Sequence, residues 1–220
     1  MIGTQGASRT RPVSGRGWKA VLNAGLGNTR TRILGVFLIL IAVLGTVVLR
    51  QYANIETVFV ACLLAGSLLS RWWTVLVPLS ALLILQPLEW DANRGYAVEA
   101  MAGISFFVIT GFLFVALIGS RLRPKVLFRV KSVALLTTIS VPLTVAYDVW
   151  TAFGEWYFLM RPFGVSLLTV MQGQFLFTLY HLLSSLIFVP LFGTTFLFLQ
   201  AYGWPATQQE PSPAEPYDRP

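Results

Sequence analysis

At 220 residues, 55% hydrophobic and only 11% charged, with a mean hydropathy of +0.70, the chain carries more apolar surface than one water-facing core could hide. Sixteen Lys and Arg against nine Asp and Glu give a net charge of +7, but the charges avoid the long apolar runs, which argues for a membrane protein with basic edges and against a nucleic-acid binder. One cysteine, Cys62, and one histidine, His181, exclude a disulfide framework, a multi-thiolate metal site and His-rich zinc chemistry within one chain, so neither a metal nor a cofactor is expected.

Residues 1–32 carry Arg9, Arg11, Arg16, Lys19, Arg30 and Arg32 among Gly, Ser and Thr and have no apolar h-region. They predict a disordered basic tail, not a cleavable signal peptide. The first apolar run, 33–49, is at the short end of what crosses a hydrocarbon core of about 30 Å, and is expected to act as the signal-anchor. Five more runs follow: 57–70, 74–88 with Pro78 and Pro87, 101–120, 132–150 with Pro142, and 175–200 with Pro190. The expected fold is therefore an all-α membrane domain over 33–200, a bundle of six transmembrane helices. A disordered tail follows over 201–220, which holds five prolines. Within 57–88, Arg71-Trp72-Trp73 divides the apolar sequence. Two short helices joined by a tight turn, or one helix plus a re-entrant segment, both fit.

The distribution of positive charge tests this count. With the N-terminus cytoplasmic, thirteen of the sixteen Lys and Arg fall on inner segments, leaving only Arg50, Arg94 and Arg161 outside. The cluster Arg121, Arg123, Lys125, Arg129 and Lys131 contributes most. Glu56, Glu89, Asp91, Glu99, Asp148 and Glu155 all fall at or beyond the outer edge. Both termini are thus expected in the cytoplasm and the chain in the cell membrane as a multi-pass protein.

Polar groups at membrane depth are costly, so function is sought there first. Gln174, Thr178, His181 and Ser185 are spaced to share one face of the last helix, with Phe175, Leu176, Leu179, Leu182, Leu183 and Leu186 opposite. Such a stripe suits one wall of a small-molecule pocket, or hydrogen bonds that glue helices together, the ordinary role of Ser184 and Ser185. Asp148, beside aromatics near the end of the fifth span, needs a partner: Arg161, His181 or a turn of backbone amides over 150–154. Tyr147, Trp150, Phe153, Trp156, Tyr157 and Phe163 can stack on a planar ligand or form an ordinary outer aromatic belt. Glu89-Trp90-Asp91 with Arg94 is expected in a solvated outer loop. Ala61 and Ala65, with Gly66 adjacent, form a small-residue face suited to close helix packing. Phosphate-cradling, HExxH, GxSxG and CxxC motifs do not occur in the sequence.

The segment Tyr147-Asp148-Val149-Trp150-Thr151-Ala152-Phe153-Gly154, followed by Phe175-Leu176-Phe177-Thr178-Leu179-Tyr180-His181-Leu182-Leu183-Ser184-Ser185, resembles the substrate-binding S components of energy-coupling factor vitamin transporters. Several of these carry a YD-x-x-T-N-x-G-like segment before the outer loop and a PFT-x-x-H-x-x-S-N-like start to the last helix. Here Ala152, Gln174 and Ser185 replace family residues, and the small-xxx-small pair that docks the coupling subunit in many members is on the second span, not the first. The resemblance implies an outer pocket that binds a vitamin-like small molecule through residues drawn from Tyr147, Asp148, Trp150, Thr151, Trp156, Gln174, Thr178 and His181. It further implies a transmembrane coupling subunit and two cytosolic ATPases as partners, and no catalytic activity in this chain. A non-catalytic structural or assembly subunit of a larger membrane complex is the alternative. An intramembrane enzyme with His181 as base and Asp148 orienting it is a third reading, which requires those two side chains within hydrogen-bond reach.

Overall fold

The structure, a computed structural model, describes residues 28–51, 57–126 and 129–202. The expected tail disorder at 1–27 and 203–220, and the placement of Glu56, lie outside the described residues. Among the described residues there are six α-helices: α1 (Thr29–Leu49), α2 (Thr57–Leu68), α3 (Trp73–Ala92), α4 (Val98–Leu122), α5 (Val130–Glu155) and α6 (Leu167–Tyr202). Among the described residues there is no strand. Five of the helices are long and apolar enough to cross a membrane, and α2 is not. Its twelve residues rise about 18 Å against a core of about 30 Å.

The packing explains why so short a helix persists. The sequence of α2, TVFVACLLAGSL, has no polar face, and a helix apolar all round belongs inside a bundle. Every residue from Thr57 to Ser67 is buried, among α1, α3, α4 and α6. By contrast α1 and α6 expose rows of large apolar side chains such as Leu44, Val48, Leu176 and Leu183, as a lipid-facing ring does. Its ends are held by neighbours. Thr57 Oγ1 donates to the Ile41 and Ala42 carbonyls, 3.0 Å each, so α2 begins opposite the middle of α1. At the other end the Arg123 guanidinium donates to the Gly66 carbonyl (3.1 and 2.8 Å) and to Thr74 Oγ1 (3.0 Å). One cation therefore caps the carbonyl end of α2 and ties it to the start of α3 and the end of α4.

The small residues anticipated on α2 are used inside the protein. The backbones of α2 and α4 touch at Gly66 and Gly119: a Cβ on Gly119 would lie 2.6 Å from the Leu63 carbonyl oxygen. Ala61 and Ala65 are fully buried there, so that face is not available to dock a coupling subunit.

Neighbouring helices alternate in direction. Trp73 covers Gly35, and Phe37 stacks on Phe196, bringing the starts of α1 and α3 and the end of α6 to one end of the bundle with Arg121, Arg123 and Lys125. The opposite, acidic end holds Glu89, Asp91, Glu99 and Glu155. Three boundaries there differ from expectation. Helix α3 runs on to Ala92, so Glu89, Trp90 and Asp91 are helical and not in a loop, with Asp91 paired to Arg94. Helix α5 continues past Trp150 to Glu155 and then through a π turn (Trp156–Met160) and a 3-10 turn (Arg161–Phe163). Gly164, at φ +74°, reverses the chain with a conformation that suits glycine, and Ser166 Oγ accepts from the Thr169 amide to cap α6. The last helix thus starts at Leu167, eight residues before the expected Phe175. The apolar run alone marks 175–200, whereas the capped start carries the helix back through the polar Gln172-Gly173-Gln174 to Leu167.

Candidate functional site

On α5, Ser140, Thr144, Asp148, Thr151 and Glu155 recur every three or four residues and so form one polar face. It meets the stripe of α6 along the closely packed α5–α6 seam. Two rungs cross it. Near the acidic end Gln174 Nε2 donates to Glu155 Oε2 at 2.6 Å, and two turns deeper His181 Nδ1 lies 2.8 Å from Asp148 Oδ1. Of the three partners considered for Asp148, His181 is the one it meets. Asp148 sits in mid-helix and not at a turn; Thr151, expected to help form that turn, returns its hydroxyl to the carbonyls of Tyr147 and Asp148.

The two rungs have different surroundings. The Asp148–His181 pair is core: the residues are 7% and 1% exposed, and the rings of Phe59 and Tyr147 stand edge-on to the imidazole at 5.1 and 5.5 Å. Asp148 Oδ2 and the Thr144 hydroxyl, one turn apart, are buried with no hydrogen-bond partner. Ser184 and Ser185 bond to carbonyls of their own helix, those of His181 and Leu182. The distance demanded by an acid-oriented histidine base is met. The enclosure gives that base no approach for a substrate, and neither serine is aimed at it.

The upper rung opens into a cavity of about 290 Å³ lined by Asn93, Tyr96, Met101, Ile104, Thr151, Glu155, Leu159 and Gln174. A second lobe of about 210 Å³ shares Asn93, Met101 and Ile104 with it and extends to Thr46, Gln86, Glu89, Ser105 and Tyr147. Together they form a polar cleft at the acidic end, lined by side chains from all six helices. One wall is braced by a small network: Ser105 Oγ donates to Gln86 Oε1 at 2.8 Å, and the Trp90 indole reaches both at 3.1 Å.

Of the eight residues proposed from sequence, Tyr147, Thr151 and Gln174 line this cleft. Asp148 and His181 lie in the core. Trp150 instead flanks an apolar groove of about 390 Å³ between α4 and α5 and donates to Thr110 Oγ1 at 3.0 Å. Trp156 donates to the Val165 carbonyl at 2.9 Å and so fastens the turn into α6. Thr178 is half-buried and outside both lobes. Glu89, Asn93, Tyr96 and Glu155 were not proposed as site residues. A signal existed for three of them: Glu155 follows Asp148 at i+7, and Glu89 and Asn93 follow Gln86 at i+3 and i+7.

No protein-family model, curated protein or solved structure matches this chain. Its class follows from the fold: an α-helical, multi-pass membrane protein with a polar cleft at one end of the bundle.

Proposed function

We propose that this protein is the solute-binding membrane component of a transporter, similar in kind to the S components of energy-coupling factor systems, and has no catalytic activity of its own. In this reading the chain crosses the cell membrane six times, α2 counting as a short internal crossing. The basic end, with both chain termini, faces the cytoplasm and the acidic cleft opens outward. The observation that carries the reading is the cleft itself, a concave site near the size of small-molecule pockets with amide, hydroxyl and carboxylate groups converging on it. A transmembrane coupling subunit and two cytosolic ATPases would supply the driving force, since the sequence has no phosphate-cradling loop.

Native mass spectrometry of the gently purified protein tests this. A bound small molecule should be retained by wild type and lost from Asn93→Ala and Gln174→Ala, while both variants remain folded and melt only a few degrees below wild type. Protein that carries no small molecule would overturn it. The Asp148–His181 interlock favours a second reading, a structural subunit whose polar seam only joins helices. Under that reading Gln174→Ala lowers recovery of a larger complex and affects no ligand.

A further inference from the structure

Taking the cleft as a solute site, we propose that its solute is a small organic cation, an amine or quaternary ammonium compound. The charged side chains lining both lobes are carboxylates, Glu89 and Glu155, and no Lys, Arg or His lines either lobe. Among the described residues neither glutamate takes part in an ion pair. The cations at this end are engaged elsewhere: Arg94 pairs with Asp91, Arg50 donates to the Leu88 carbonyl at 3.3 Å, and Arg161 lies over the Trp156 and Tyr157 rings at 5.8 and 5.2 Å. Glu155 is half-buried and held in place by Gln174, so its charge is fixed in direction and only partly hydrated.

A second observation points to an occupant. The Thr46 hydroxyl borders the inner lobe, is shielded from solvent and has no hydrogen-bond partner. A ligand N–H or O–H reaching that lobe would satisfy it. Tyr147, nine-tenths buried, adds an aromatic wall. Glu155, half-buried, and Glu89, exposed at the cleft's edge, both favour a cation there, and an anion entering the cleft would meet two carboxylates with no paired cation.

Three matched probes separate the possibilities: phenethylamine, 2-phenylethanol and 3-phenylpropionate, titrated into detergent-purified protein and followed by tryptophan fluorescence and calorimetry. The amine should bind at least tenfold more tightly than the alcohol, and the carboxylate should not bind. Glu155→Gln should weaken the amine at least tenfold and leave the alcohol within twofold. Glu89→Gln, an exposed position, provides the same test if the Glu155 variant melts early. Alcohol or carboxylate binding as tight as the amine, or amine binding indifferent to both substitutions, overturns the cation assignment and leaves the cleft a solute site. Failure of all three probes to bind overturns the cation assignment too, and if purified protein also carries no molecule the solute-binding reading falls with it.

Discussion

Replacing Gly66 by alanine should be the most damaging one-methyl change in the protein. The added carbon would overlap the Ala116 carbonyl oxygen and come within 2.9 Å of both the Ala116 carbonyl carbon and the Ser120 nitrogen. All three are backbone atoms of α4, so no rotamer change relieves the overlap, and α2 must move away to restore an ordinary C···O distance of about 3.3 Å. Overpacking of this kind costs roughly 1–3 kcal/mol. Because the same movement stretches the Arg123 cap on the Gly66 carbonyl, the cost belongs at the upper end, about 3 kcal/mol. At roughly 2–4 °C per kcal/mol for a chain of this size, the melting midpoint should fall by about 6–12 °C. Intrinsic tryptophan fluorescence during heating in a mild detergent reads it directly. Gly173→Ala is the control: a Cβ there meets nothing within 4 Å, and alanine in a helix interior is better than glycine by about 0.5–1 kcal/mol. A Gly66→Ala protein that melts with the wild type would refute the backbone contact between α2 and α4.

Three other perturbations follow from the same geometry. Arg123→Met removes both guanidinium bonds to the Gly66 carbonyl and should cost about 2 kcal/mol in the same assay, whereas Arg123→Lys, with no planar fork, should fall between it and wild type. Asp148→Ala should cost about 3–5 kcal/mol, because it strands His181 in the core, while the double change Asp148→Leu with His181→Phe should recover most of that loss; a double variant no better than the single one would argue that the pair does more than hold helices. Trp156→Phe loses the bond to the Val165 carbonyl and should cost about 1 kcal/mol, measured as a melting point lower by about 2–4 °C.

Much of the bundle was legible because lipid imposes long apolar runs, and those runs are hard to mistake: the five long helices all overlap the runs read from sequence. Residues 57–70 were harder. An all-apolar segment looks the same in sequence whether lipid or protein surrounds it, and the burial of Thr57–Ser67 among four helices, with the Thr57 and Arg123 bonds, reveals that α2 is interior. One helix end, at Glu89–Asp91, was misjudged because polarity suggests a loop, whereas a helix rim at a membrane edge is polar without ceasing to be helical. The α6 stripe was placed on one face from its spacing, but its division was hidden. Gln174 meets a cavity and His181 meets a wall of rings, a difference set by Phe59 and Tyr147 from other helices. The cleft drew on α3 and α4, and residues distant in sequence leave no periodic trace of such convergence.

The central claim, that the acidic cleft opens to the cell exterior, is tested most directly by Gln174→Cys treated with a membrane-impermeant maleimide on intact cells. Background labelling is expected to be low, since the chain's own Cys62 is fully buried. Position 174 should react at once in intact cells, because it lines the cleft. Reaction only after the membrane is permeabilised would invert the bundle and contradict the account.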